Sequence, residues 1–284
     1  MNLSRRSFLK TSGSSLVSAA ILSQVPLSLI GCGNVMEKKS IGFQIWTIKD
    51  KLIADFPGTL KMMADFGYKE VEMCSPLGYD FESLNQIKGP EMRKIIEDAG
   101  LKCTSSHYTF PELRDHLDNR IQWAHDLGMK QIILSSFWLP EGASLDEYKT
   151  AADELNSLGE KTKKAGIQMG FHNHHMEFEK RGDELIYDVL LDQLDPDLVK
   201  MQFQVAVVNI GYKASDYFYK YPGRFTSAHL SDWVSEDESV PVGQGMVDWP
   251  EFFQAAKTGG VQNFYAEINP EFFEESAEYL LDLS

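Results

Sequence analysis

Three of the seven histidines in this 284-residue chain lie within four positions, at His172, His174 and His175. They directly follow a short apolar run, residues 167–169, that is typical of a buried strand. Because successive side chains of a strand point to opposite faces, we expect His172 and His174 on one face and Asn173 on the other. Buried imidazoles are costly unless a metal ion or hydrogen-bond partners satisfy them. This stretch alone leaves a metal site, a hydrogen-bonded polar cluster and an exposed histidine-rich loop all open.

The rest of the chain alternates between short apolar runs and longer amphipathic segments. Eight runs are predicted as strands, at residues 41–45, 70–73, 102–106, 131–134, 167–169, 199–204, 225–230 and 263–267. Helices are predicted after each of them, at residues 56–66, 90–99, 111–127, 145–165, 183–191, 215–220, 249–257 and 271–281. Eight strands that each precede a helix indicate a parallel α/β sheet.

The length of this alternating region favours closure of the sheet into a barrel. A (β/α)8 TIM barrel takes roughly 250 residues, which is the length of the chain after its N-terminal segment. A doubly wound open sheet would usually carry a Gly-rich phosphate turn after its first strand, and Ile45-Trp46-Thr47 contains none. We therefore predict a single TIM barrel over residues 40–284.

In such barrels the active site lies at the carboxyl ends of the strands. Seven of the eight predicted strands end in a residue that can bind a metal or move a proton: Glu72, His107, Ser136, His172 with His174, Gln204, His229 with Asp232, and Glu267. Chance would scatter such groups over the loops, so the set indicates a functional site. Each member alone has a structural alternative: Glu72 could pair with a lysine, His229 could be a hydrogen-bonded core residue, and Asp232 could cap the following turn.

The N-terminal segment carries two export signals. Ser4 to Lys10 matches the twin-arginine pattern, with Arg5 and Arg6, and a weakly apolar run follows. The segment closes with Leu29-Ile30-Gly31-Cys32, which resembles a lipobox. We predict a signal peptide over residues 1–31, a lipid anchor at Cys32 and a tether over residues 32–39, with an amphipathic N-terminal helix as the alternative. The expected location is the periplasm or the cell surface.

Charge and cysteine content exclude two classes of protein. The formal net charge is −15, and removing the three cations of the signal segment, which has no acids, takes it to −18. A domain this acidic repels nucleic-acid phosphates, so no nucleic-acid partner is expected. Besides Cys32 only Cys74 and Cys103 are present, which excludes a disulfide scaffold; two free buried thiols and a single bridge both fit.

Several motifs together resemble the sugar phosphate isomerase/epimerase family, whose members are xylose isomerase-like TIM barrels. The motifs are Phe171-His172-Asn173-His174, Glu177-Phe178, Tyr221-Pro222-Gly223-Arg224, Ala228-His229-Leu230-Ser231-Asp232, Val242-Gly243-Gln244-Gly245 and Ala266-Glu267. The resemblance covers the chain from about Ser40 to its end and is specific for fold and superfamily, not for substrate. It implies one divalent metal ion, held by His172, Gln204, His229 and Glu267.

The chain departs from the family pattern at three acidic positions. Strand six, commonly Glu-x-Asp in relatives, contains Gln202 and Gln204, and the loop often written Gly-Glu-Gly contains Gln244. The predicted ligands are thus two imidazoles, an amide and a carboxylate, which suit zinc, manganese, cobalt or nickel better than magnesium or calcium. Such a site would carry about one excess positive charge and favour an enolate. The same substitutions are compatible with a barrel that has lost its metal and only binds ligands.

The resemblance implies abstraction of a proton α to a sugar carbonyl, followed by isomerisation or epimerisation. The candidate base is Glu267 or Glu177, with His107 and His174 orienting hydroxyl groups or relaying the proton. The predicted substrate contacts are His174, Glu72, Trp46, Trp138 and Asp232, and the tryptophan faces suit a pyranose ring as well as they suit core packing.

Three other activities compete with isomerisation or epimerisation. Expulsion of a β-leaving group in the same site would make the protein a lyase on 3-keto-glycosides. A non-catalytic carbohydrate-binding lipoprotein would use the same cavity without chemistry. Phosphodiester hydrolysis would need more metal ligands and a basic groove, which the sequence lacks. An exported, acidic protein with no basic cluster favours an uncharged sugar or glycoside over a sugar phosphate.

Overall fold

The computed structural model describes residues 40–81 and 83–283. The predicted signal peptide, the lipid anchor at Cys32 and the tether over residues 32–39 lie outside these ranges and remain predictions. Within the described ranges no helix is both long and apolar enough to cross a membrane.

Eight parallel strands close into a barrel, which confirms the predicted fold. They are β1 (Ile41–Gln44), β2 (Glu70–Cys74), β3 (Lys102–Tyr108), β4 (Gln131–Leu134), β5 (Gln168–His172), β6 (Val199–Gln204), β7 (Phe225–Leu230) and β8 (Asn263–Ala266). Each strand pairs with the next along the chain, and β8 pairs with β1 to close the ring. All carboxyl ends therefore lie at one rim, which brings the predicted strand-end residues to the same face.

Helices follow the strands around the outside of the barrel. Nine are described: α1 (Lys49–Ala54), α2 (Phe56–Asp65), α3 (Gly89–Asp98), α4 (Phe110–Leu127), α5 (Leu145–Lys164), α6 (Ile186–Gln193), α7 (Ala214–Lys220), α8 (Trp249–Gly259) and α9 (Phe273–Leu283). Eight of them agree with the predicted helices within a few residues. The short helix α1 was not predicted, because six residues are too few to show a helical period.

Polar residues fill the interior of the barrel below the rim that the carboxyl ends of the strands form. At the amino end of the strands, Gln131 donates to Asn263 at 2.8 Å, and Asn263 donates to Glu70 at 2.8 Å. The apolar core lies between the outer faces of the strands and the helices. The side chain of Ile133 on β4 packs over Gly170 of β5, where a Cβ would lie 2.4 Å from it. The interior is therefore a packed, hydrogen-bonded layer that supports the rim.

One buried carboxylate organises the loop between β7 and α8. Asp232 is 0% exposed and accepts hydrogen bonds from the backbone N–H groups of Trp233, Gly243, Gly245 and Val247 and from the indole of Trp249. A carboxylate that accepts this many bonds has no capacity left for a ligand. Asp232 was predicted to contact the substrate. In the structure it instead holds the loop, which is close to the alternative that it caps the following turn.

We expect Asp232→Ala to lower the free energy of unfolding by about 3–5 kcal/mol, because it leaves several buried N–H donors without an acceptor. The control is Asp248→Ala, which removes an exposed N-cap bond to Glu251 and should cost about 1 kcal/mol. Urea unfolding followed by circular dichroism measures both changes. Equal small effects would show that Asp232 does not hold the loop.

Candidate active site

A cavity of about 530 Å³ opens at the carboxyl ends of the strands. Its walls come from β1, β2, β3 and β5 and from the segments that follow β1, β2, β4, β5 and β8. They are formed by Gln44, Trp46, Lys49, Cys74, Gly78, Tyr79, Asp80, His107, Ser135, Trp138, His172, His174 and Glu267. The volume and the mixture of aromatic and titratable side chains suit a small polar molecule.

Three buried histidines lie together at the floor of this site. His107 is the penultimate residue of β3, His172 ends β5 and His229 is the penultimate residue of β7, so the parallel strands bring the three rings to the same end of the barrel. The ring centroids of His172 and His229 are 4.4 Å apart, and that of His107 lies 4.9 Å from His172 and 5.1 Å from His229. One nitrogen from each ring lies within 4.8 Å of the others, the only such group of three or more metal-binding side chains in the described ranges.

The buried carboxylate of Glu72 lies beneath the histidines. Its Oε2 contacts Nε2 of His229 at hydrogen-bond distance and lies 3.3 Å from Nε2 of His107. Its Oε1 accepts from Ser105 at 2.7 Å and from the amide of Gln202 at 2.8 Å. Burial alone would raise the pKa of Glu72, but the two histidines hold it well below its usual range. Glu72 therefore supports the histidines and does not reach the cavity where it was predicted to touch substrate.

His229 lies between two carboxylates. Nε2 faces Glu72, and Nδ1 lies 2.9 Å from Oε2 of Glu267. Burial opposes the imidazolium, but the attraction of both carboxylates outweighs it and raises the pKa of His229 to about 9. At neutral pH both ring nitrogens therefore donate hydrogen bonds, and His229 offers no lone pair unless it releases a proton.

The pKa values of His172 and His174 are shifted in the opposite direction to that of His229. Burial, with the neighbouring histidines, lowers the pKa of His172 well below its usual value, and burial lowers that of His174 to about 4. Nδ1 of each ring is buried without a hydrogen-bond partner. These neutral rings face each other with centroids 4.8 Å apart. An unpartnered buried imidazole nitrogen is a ready ligand for a metal ion or a substrate hydroxyl.

Glu177 supports His174 from outside the cavity. Its Oε2 accepts from the backbone N–H of His174 at 2.6 Å, and its Oε1 accepts from Ser136 at 3.4 Å. The side chain is 0% exposed, and burial raises its pKa to about 7. Because Glu177 is not part of the cavity wall, its position favours fixing the backbone at His174 over acting as a base.

The residues present fit a divalent metal ion by donor type and proximity. Three imidazoles converge, the nitrogen of His172 has no partner, and the carboxylate of Glu267 lies beside them. The amide of Gln204 is less available than predicted, because its oxygen accepts from the N–H of Ala206 at 3.2 Å and its nitrogen donates to Glu267 at 2.6 Å. His107, predicted only as a catalytic residue, takes a place in the histidine group.

Six of the predicted site residues line the cavity, and five do not. Those that line it are Trp46, His107, Trp138, His172, His174 and Glu267, whereas Glu72, Glu177, Gln204, His229 and Asp232 lie below or beside it. His229 still contacts Glu267, so it adjoins the wall. His175 is exposed, bonds Asn209 at 2.8 Å and does not line the cavity. Roles in metal binding or catalysis remain predictions for all of them.

The cavity also contains residues that sequence reasoning missed. Gln44 ends β1, so the strand-end rule could have found it. Lys49 begins the unpredicted helix α1 and donates to the carbonyl of Tyr79 at 2.9 Å. Tyr79 and Asp80 lie in the loop after β2, where no period marks them. Lys49 is the single lysine or arginine in the cavity wall as the described residues define it.

A closed parallel barrel with titratable groups at the carboxyl ends of its strands defines the class of TIM-barrel proteins. Residues 60–283 match the model of one family in this class, the xylose isomerase-like TIM barrels, so the chain belongs to that family. The predicted family is thereby confirmed.

Known proteins similar to this chain include carbohydrate isomerases and dehydratases. An inosose dehydratase of Clostridium perfringens (strain 13 / Type A) is 33% identical over a 196-residue alignment that covers 62% of this chain and 63% of that protein. The match thus spans less than two thirds of that relative's length. The crystal structure of a sugar phosphate isomerase/epimerase from Parabacteroides distasonis is 28% identical with a TM-score of 0.70, covering 87% of this chain and 95% of that one. The probable 3-DHS dehydratase AsbF from Bacillus anthracis shares the fold, with 12% identity, a TM-score of 0.68 and coverage of 85% and 98%.

We expect zinc or manganese binding to release about one proton per ion near neutral pH, because His229 must lose a proton before it can ligate. Affinity should rise with pH and level off above about 9, where His229 is already neutral. Isothermal titration calorimetry in buffers of different ionisation enthalpy measures the proton count.

His172→Ala should abolish this binding, whereas His174→Ala should keep the ion. The exposed His175→Ala is the matched control and should behave as the wild type. Full metal content in both His172→Ala and His174→Ala would contradict the assignment of His172 as a ligand.

Proposed function

We infer that this chain is an enzyme that abstracts a proton α to the carbonyl group of a small sugar or sugar-like ketone. The observation that supports this most directly is Glu267, an ionised carboxylate in the cavity wall beside three converging imidazoles. Membership of the family and similarity to isomerases and dehydratases support the same reaction class.

A divalent ion bound by His172, His229 and His107 or Glu267 would polarise the carbonyl oxygen and stabilise the enolate. The side chains themselves must bind the substrate, remove the proton and return it. The protonation state of each side chain indicates which of these tasks it can perform, because an ionised carboxylate can remove a proton and a neutral imidazole can bind or protonate an oxygen.

Glu267 is the group best placed to remove the proton. Burial would raise its pKa, but His229 lowers it, so the carboxylate is ionised at neutral pH. Both described hydrogen bonds to Glu267 go to Oε2, and the side chain is 16% exposed to the cavity. Oε1 is therefore the oxygen that can accept a proton from carbon, while Oε2 stays bonded to His229 and Gln204.

His174 is suited to bind or protonate a substrate oxygen. Its ring is neutral at pH 7, lies in the cavity wall and has an unpartnered Nδ1. The backbone bond to Glu177 fixes its position. A neutral imidazole can accept a proton from one hydroxyl and donate to another, as relocation of a proton along a sugar requires.

Two exposed tryptophans border the opening of the cavity. Trp46 is 48% and Trp138 is 56% exposed, although both are large aromatic side chains. Trp138 also has a positive φ of 51°, which is unfavourable for a bulky residue, and its ring centroid lies 5.5 Å from that of His174. A strained, exposed aromatic residue beside the catalytic groups supports the proposal that its face binds a sugar ring.

Elimination is the second reaction that the site can support. After the α proton moves to Glu267, the electron pair forms a carbon–carbon double bond and expels a β-oxygen substituent, which leaves with a proton. The similarity to a dehydratase favours this outcome, and a 3-keto-glycoside is the substrate expected for an exported protein. Isomerisation and elimination share the first step and differ only in where the electron pair goes.

Incubation with candidate keto-sugars and keto-glycosides in D2O tests the shared step. We expect deuterium at the α carbon by mass spectrometry, or an unsaturated product that absorbs in the ultraviolet. Glu267→Gln should slow either signal roughly 10²–10⁴-fold, the usual contribution of a general base.

The exposed Glu271→Gln is the matched control for this substitution and should keep the wild-type rate. Binding of sugars without exchange or elimination in the metal-loaded wild type would instead support a non-catalytic binding protein. Equal rates in Glu267→Gln and the wild type would rule out Glu267 as the base.

We also propose that the protein is exported and anchored by a lipid on Cys32. The twin-arginine and lipobox motifs support this location. In a bacterium with a twin-arginine pathway, Cys32→Ser should move the exported protein from the membrane to the soluble fraction, and replacement of Arg5 and Arg6 by lysine should retain it in the cytoplasm. Immunoblots of cell fractions measure both, and an unchanged distribution would refute the anchor.

A further inference from the structure

Gln202 lies in the barrel interior directly below the histidine group. It is 0% exposed on β6. Its Nε2 donates to Oε1 of Glu72 at 2.8 Å and to Oγ of Ser227 at 2.9 Å. Its Oε1 lies 2.6 Å from Nε2 of His107. Both amide hydrogens and the amide oxygen of this side chain are thus engaged, and the side chain also hydrogen-bonds His172.

The orientation of the amide follows from its neighbour Glu72. Oε1 of that carboxylate accepts from Ser105, and its Oε2 lies against the ring nitrogens of His229 and His107, so a donor must face Oε1. The amide nitrogen must therefore point to Glu72, and the amide oxygen must point to His107. Reversing the amide would place two acceptor oxygens against each other in a buried site, which costs free energy on both sides.

We propose that Gln202 is a positioning residue that fixes the tautomer of His107, with the proton on Nε2 and the lone pair on Nδ1. A neutral imidazole carries a single N–H, and an oxygen 2.6 Å away requires that N–H to face it. Oε2 of Glu72, at 3.3 Å, favours the same tautomer more weakly, since it already bonds His229. Nδ1 is then the nitrogen of His107 that can accept a proton or hold an ion.

An amide performs this task in a way that a carboxylate cannot. A carboxylate at position 202 would place a second negative charge against Glu72, or would share a proton with it, so the bond pattern would vary with protonation. The amide neither gains nor loses a proton. It supplies one fixed acceptor to His107 and two fixed donors to Glu72 and Ser227.

The stacked rings of His107 and His229 therefore have different hydrogen-bond partners. His107 and His229 lie with centroids 5.1 Å apart and planes 11° apart. His229 faces a carboxylate at each nitrogen, and His107 faces an amide oxygen at one nitrogen only. His107 therefore keeps a fixed lone pair beside a ring whose nitrogens are both occupied.

Nitrogen NMR of histidine-labelled protein tests the proposal without any activity measurement. In the metal-free wild type, we expect a pyrrole-like ¹⁵N shift at Nε2 of His107 and a pyridine-like shift at Nδ1, assigned by the signals lost in His107→Gln. A pyrrole-like Nδ1 with a pyridine-like Nε2 would overturn the proposal, and this measurement needs no variant at position 202.

Gln202→Met removes the acceptor while keeping the side-chain length. We expect the two ¹⁵N shifts of His107 to move toward each other as the second tautomer becomes populated. Gln131→Met is the matched control, because Gln131 is also a buried strand residue of the barrel interior but bonds Asn263, and it should leave both shifts unchanged. An unaltered tautomer in a folded Gln202→Met would show that Glu72 sets it and would refute the role of Gln202.

Because these outcomes concern hydrogen bonds within the protein, they are independent of the proposed reaction. Loss of the fixed tautomer with normal deuterium exchange would leave the proposed function intact. A fixed tautomer in a protein that exchanges no deuterium would leave the assignment of Gln202 intact.

Discussion

The site depends on the compensation of one buried negative charge. A carboxylate with no solvent contact is costly unless hydrogen bonds and opposite charge satisfy it. Glu72 on β2 accepts hydrogen bonds from, or lies against, the side chains of Ser105 and His107 on β3, Gln202 on β6 and His229 on β7. Four strands are thus tied to a single group, and the rings that form the floor of the cavity can occupy only the positions that keep it satisfied.

This constraint separates the histidines into distinct chemical states although they share one pocket. His229, between two carboxylates, holds its proton, while burial keeps His172 and His174 neutral. Proton transfer between a carbon and an oxygen needs both kinds of group within reach of one molecule. The amides of Gln202 and Gln204 contribute to this separation, because they supply fixed donors and acceptors without adding charge.

The fold could be predicted from the sequence because strand and helix periods extend over whole elements and the strands end in similar residues. The strand-end rule also predicted the histidines and Glu267 of the cavity wall, since parallel strands share one rim. It could not show that Glu72 lies beneath the histidines, because alternation along a strand gives a face and not a depth. Nor could it find Lys49 or the bonds of Asp232, which depend on a six-residue helix and on a loop that folds back across 17 residues.

The carboxylate of Asp232 holds the ends of the loop between β7 and α8 but not the tip of that loop. The N–H groups at Gly243, Gly245 and Val247 are all held by that one side chain, whereas residues 234–238 are exposed to solvent. The one described side-chain bond from the tip to the rest of the barrel is the one that Asn209 donates to the carbonyl of Glu236 at 2.8 Å. Changes of length at the tip should therefore disturb the barrel far less than changes at the ends of the loop.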